Sequence, residues 1–107
     1  MNLLADVPRA LAEEQFTELL RRPGLAIERI VSTGQASPPG FWYDQAQDEF
    51  VLLLQGSASL QVEGEAAPRA LAAGDWAHLP AHRRHRVERT QAEPPTVWLA
   101  VHFGPGA

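Results

Sequence analysis

The chain contains no cysteine, which excludes disulfides and thiolate metal sites and leaves imidazole, carboxylate, amide and phenol groups as the side chains able to hold a metal. Lysine is missing too, since all nine basic residues are arginine. Lysine commonly guards open sheet edges, so an exposed strand in this chain lacks that protection. No apolar run approaches the ~18 residues of a membrane helix, and the opening MNLLADVPRALAEEQF has no basic segment followed by an apolar one. These absences predict a cytoplasmic chain with no membrane partner. The patterns GxSxG, GxxxxGK and GxGxxG do not occur, so nucleophile-elbow hydrolases, phosphate-loop enzymes and dinucleotide-binding enzymes drop out.

With 107 residues, the chain can form one domain with a real core and no second one. A formal charge of -4 argues against nucleic-acid binding, and Arg83, Arg84, Arg86 and Arg89 read as a solvated strand whose alternation splits them between two faces. Nine prolines and eight glycines are spread along the chain, which predicts many turns between short strands. Leu11, Phe16, Leu19 and Leu20 recur at helical spacing between Pro8 and Pro23-Gly24, so a helix is expected over residues 9–22. That divides the chain into a helical segment, 1–24, packed on a β domain, 25–107.

From there the pattern is strand and turn. LAIERIVSTG is β-branched, and FWYD, EFVLLLQ, SASLQVE, PRALAAGD, WAHLP, RHRVERT and TVWLAVHF follow, about eight strands with short connections. Gln55-Gly56-Ser57 and Glu63-Gly64-Glu65 place glycine where hairpins need positive φ, so consecutive strands are expected to pair in a meander.

Two stretches carry the chemistry. Gly40 is followed after eight residues by Glu49 and, six further on, by Gly56. Gly74 is followed after five residues by Pro80 and then by His85. This pair of patterns resembles the two motifs of the cupin superfamily, over roughly Ile27 to Phe103. The resemblance implies an all-β, double-sheet jelly-roll barrel whose mouth holds a divalent metal such as Mn, Fe, Ni or Zn on three imidazoles and a carboxylate. Glu49 matches the carboxylate and His85 the later imidazole. The two earlier histidines fall on Tyr43 and Gln45 or, with the spacing one residue longer, on Trp42 and Asp44. A turn glycine is replaced by His82 and an amide by Arg89. Losing two imidazoles leaves an oxygen-rich and weaker site, and Asp44 and Gln45 are the next candidate ligands. In the other reading Glu49 pairs with Arg89 or another arginine and His85 hydrogen-bonds within a metal-free pocket.

His102 shares strand parity with Trp98 and Ala100. If that face is the inner one, Trp98, His102, Tyr43 and His85 converge, which makes His102 the acid–base candidate and Tyr43 and Trp98 pocket walls. His78, in WAHLP, is a further pocket candidate, although a satisfied half-buried histidine is its plainer reading. The expected ligand is a small polar molecule, turned over by a metal-dependent enzyme or held by a metal-free binding module. Unprotected edges, the apolar LAIERIV and the cluster Phe41–Tyr43 predict a homodimer joined near the first strand or the helix before it.

Overall fold

The structure is a computed structural model and describes residues 2–105. Eight strands run in the order β1 (Gln15–Arg22), β2 (Leu25–Ser32), β3 (Asp48–Gln55), β4 (Ser57–Val62), β5 (Arg69–Ala72), β6 (Trp76–Leu79), β7 (His85–Thr90) and β8 (Thr96–Phe103). They form a five-stranded sheet, β1-β2-β8-β3-β6, and a three-stranded sheet, β5-β4-β7. The two antiparallel sheets face each other as a sandwich and do not close into the expected barrel.

Three further expectations are corrected. Among the described residues there is no helix; the segment expected as one ends in β1. Arg22 and Leu25 are register partners across Pro23-Gly24, with Gly24 at φ +78, and proline followed by a left-handed glycine suits the centre of a tight turn. Once the turn forms, the β-branched edge of β2 offers QFTELLRR a ladder of hydrogen bonds. A lone amphipathic helix of about four turns has no comparable support. The helical spacing of Phe16, Leu19 and Leu20 buries none of them, since they remain 54%, 46% and 39% exposed.

The second correction concerns Gly56. β3 pairs with β8 and β6, whereas β4 pairs with β5 and β7, so Gln55-Gly56-Ser57 is a corner that carries the chain from one sheet to the other. The Glu63-Gly64-Glu65 turn does join neighbouring strands, β4 and β5. Third, FWYD is not a strand; its one ladder contact is the isolated bridge between Tyr43 and His85.

Alternation explains where the core sits. Val51 and Leu53 on β3, Ala77 and Leu79 on β6, and Trp98 and Ala100 on β8 turn inward to meet Ala58, Leu60 and Val62 on β4. Each inward position is separated from the next by one facing outward. The same parity continues to one end of the sheet, where Glu49, His102 and Ala26 are neighbours across β3, β8 and β2. An apolar interlayer thus ends in a row that carries a carboxylate and an imidazole. The arginines are absorbed structurally: Arg83 donates to the Glu63 carbonyl, Arg84 to the Glu63 carboxylate, Arg86 to the Ser37 carbonyl and Arg89 to the Ser57 hydroxyl.

Candidate functional site

Glu49 and His85 reach the same place from opposite sheets. Glu49 is the second residue of β3 and faces inward with Val51 and Leu53. His85 opens β7, held there by reciprocal backbone hydrogen bonds with Tyr43, 2.7 Å from the Tyr43 N–H and 3.1 Å from its own. Tyr43 then lays its ring on the His85 imidazole, with centroids 5.2 Å apart and planes 19° from parallel. Both Glu49 and His85 are buried, at 6% and 5% exposure, with His85 Nε2 3.5 Å from Glu49 Oε1.

On the other side of the Glu49 carboxylate, Oε2 lies 3.6 Å from His102 Nε2. That nitrogen donates to Glu28 Oε1 at 3.0 Å. A row Glu28–His102–Glu49–His85 therefore crosses the mouth. It overlies a cavity of about 70 Å³, open to solvent, whose floor includes Val51, Leu60, Leu79, Val87 and Trp98. Glu14, Phe16, Ile30, Tyr43 and Gln45 complete the wall.

The protonation pattern follows from the partners. A carbonyl oxygen only accepts, so the contact between His85 Nδ1 and the Arg83 carbonyl at 3.3 Å places a proton on Nδ1. His85 Nε2 faces Glu49. His102 is different: its hydrogen bond to Glu28, helped by the charges of Glu49 and Glu28, raises its pKa above the ordinary imidazole value against the effects of burial and of Arg21. Burial, followed by repulsion from Glu14, Glu49 and Glu28, raises the Tyr43 phenol, which stays protonated as a donor.

The His102 shift has a consequence for stability. The charged imidazole gains partners on folding, so its contribution is fully present below the unfolded value near 6.5. It is lost as pH rises through the higher folded value. The His102 ring signals are expected to titrate above the ordinary imidazole range, and Glu28→Gln should bring that midpoint down, as NMR titration would register. A wild-type midpoint at or below the ordinary value would contradict the Glu28–His102 pairing.

Other residues expected at the site lie as follows. Trp98, Tyr43 and Gln45 line the cavity. Asp44 is exposed and sits 2.8 Å from His82 Nδ1, outside the cavity wall. His78 is on the outer face of the large sheet, 2.8 Å from Asp48 and stacked on Phe103, which removes it from the pocket because its neighbours Ala77 and Leu79 take the inward positions. Glu28 and Glu14 went unnoticed in the sequence. Glu28 is a single carboxylate on the inward parity of β2, register partner of Ala100, and that parity was the available signal. Glu14 stood inside the supposed helix.

The model of the cupin domain family matches residues 29–102. The chain belongs to the cupin family. A crystal structure from Ralstonia eutropha JMP134, provisionally described as a mannose-6-phosphate isomerase, is 59% identical, with a TM-score of 0.95 over 96% of this chain and 95% of that one. An RmlC-like cupin from Desulfovibrio desulfuricans superposes at a TM-score of 0.78 with 18% identity, covering 98% and 95% of the two chains. A cupin superfamily protein from Desulfitobacterium hafniense DCB-2 gives 0.74 with 16% identity, over 91% and 83%. These two likenesses show the fold alone. No curated protein sequence matches the chain.

The residues of this cupin do not fit the metal that the family implies. Among the described residues no group of three or more His, Cys, Asp or Glu side chains is placed to hold an ion. The donor chemistry gives the reason. Tyr43 and Gln45 stand at the earlier imidazole positions, and burial together with three carboxylates keeps the Tyr43 phenol protonated and a poor ligand. The Glu49 oxygens face two different imidazoles, and the His102 nitrogen nearest the carboxylate carries the proton shared with Glu28.

Proposed function

We propose that this cupin binds a small organic molecule in its cavity without a metal. The observation that carries the reading is the burial of Glu49 between two imidazoles above an apolar floor. It combines a few convergent polar groups with hydrophobic walls, as small-molecule sites do. His102, held by Glu28, is the group placed to pass a proton to a bound molecule. The Ralstonia protein's description names a sugar phosphate, but among the described residues no arginine lines the cavity, so the phosphate half of such a ligand lacks its usual partner.

Elemental analysis of purified protein is expected to find well below one metal per chain, and Mn, Fe, Ni or Zn should not raise the unfolding temperature. Stoichiometric metal that is lost in Glu49→Ala or His85→Ala would overturn this reading in favour of a metal site on those two residues. The proposal includes pairing into a homodimer along β1, which lies at the end of its sheet with Phe16, Leu19 and Leu20 exposed. Light scattering on the same samples should give about twice the 11.7 kDa chain mass, and a monomer mass would remove that part.

A further inference from the structure

We infer that the cavity selects an organic cation, a primary or secondary ammonium on a compact apolar body, and discriminates against anions. The inference deepens the binding function proposed above and rests on it.

Glu49 has an unmet requirement. Its side chain is 8% exposed and borders the cavity, yet among the described residues no hydrogen bond reaches either of its oxygens. The two nearest groups, His85 Nε2 at 3.5 Å and His102 Nε2 at 3.6 Å, stand beyond good hydrogen-bonding distance. The His102 Nε2 proton is directed to Glu28, and His85 Nδ1 to the Arg83 carbonyl. Both Glu49 oxygens thus lack a donor at good hydrogen-bonding distance. A buried carboxylate in this state is costly, and a donor carrying positive charge relieves the cost most directly.

The charge on the walls points the same way. Among the described residues, Glu14, Glu28 and Glu49 line the cavity, against His85 and His102 as its only bases. Three carboxylates facing at most two imidazolium groups leave at least one net negative charge. The Arg21 guanidinium, which acts on His102 from the edge of the sheet, is paired with Glu18. Of the three carboxylates, Glu14 accepts from the Ser32 hydroxyl and Glu28 from His102, so Glu49 is the one left for a ligand. Two or three N–H donors on one nitrogen can serve both Glu49 oxygens together, a role a hydroxyl's single proton cannot fill. An apolar body would rest on Leu60, Leu79, Val87 and Trp98, and the Tyr43 ring beside His85 supplies an aromatic wall.

The test compares three short-chain probes that differ in head-group charge, n-butylammonium, 1-pentanol and pentanoate, on the full chain by NMR titration. The expected result is saturable n-butylammonium binding that shifts the Tyr43, Trp98, His85 and His102 signals, at least tenfold tighter than 1-pentanol, with pentanoate weakest. Glu49→Gln should remove the tenfold preference. Should that variant not fold, Glu14→Gln is expected to reduce the preference while leaving the buried pair intact. If 1-pentanol or pentanoate shifts the same signals as tightly as n-butylammonium, the cation inference fails and the pocket reading stands. If none of the three probes shifts a cavity signal, both fail.

Discussion

Replacing Gly56 by alanine is expected to lower the midpoint of thermal unfolding by roughly 10–20 °C. Gly56 turns the chain from the large sheet into the small one with φ +86, and an added Cβ would stand 2.7 Å from Thr96 Oγ1 and 2.8 Å from Thr96 Cα. The left-handed conformation costs an L side chain about 1–2 kcal/mol, and overpacking against a fixed neighbour adds about 1–3 kcal/mol. Thr96 has little freedom to retreat. It is fully buried, its hydroxyl proton is shared between the Ser57 and Gln91 carbonyls, and its oxygen accepts from the Gln91 N–H. Gly40→Ala is the control, since Gly40 has a similar φ of +79 but nothing within 4 Å of the added atom; it should cost only the conformational part. Equal losses in the two variants would show that the approach of Thr96 is not what constrains the corner.

Trp98→Ala is expected to cost about 3–5 kcal/mol in urea unfolding. The indole is 4% exposed, belongs to the cluster between the sheets and also forms part of the cavity floor. Truncation therefore enlarges an existing void, and the neighbours cannot close it without moving two sheets. Trp98→Phe retains a ring in the same place and should lose much less. A loss below about 1.5 kcal/mol for the alanine variant would mean that the interlayer collapses around the missing ring, as adaptable cores do.

These residues also show what could be read in advance. Strand parity placed Trp98 and His102 on one face, and motif spacing singled out Glu49 and His85 as a pair, because both signals are local and periodic. The errors share one cause: a segment's neighbour was chosen by distant chain. Gln55-Gly56-Ser57 looks the same whether the following strand folds back on the last or crosses to another sheet, and the choice rests on β8 occupying the place beside β3. Likewise QFTELLRR satisfies a helical pattern until the edge of β2 is available to pair with it. Glu28 was visible only as one acid in an apolar strand, and its meaning comes from His102, 74 positions later.

The place of β8 in the large sheet carries a kinetic consequence. It lies between β2 and β3, so two strands made early must wait for one made late before either has its inner neighbour. Closing a loop of that length is slow relative to local pairing, which puts this chain with the slower-folding topologies. A growing chain carries Glu28, Glu49 and His85 well before His102, with no sheet centre to hold them in line. Insertion of β8 then completes the ladder and sets the last imidazole beside the carboxylates in one event, so the pocket matures together with the fold.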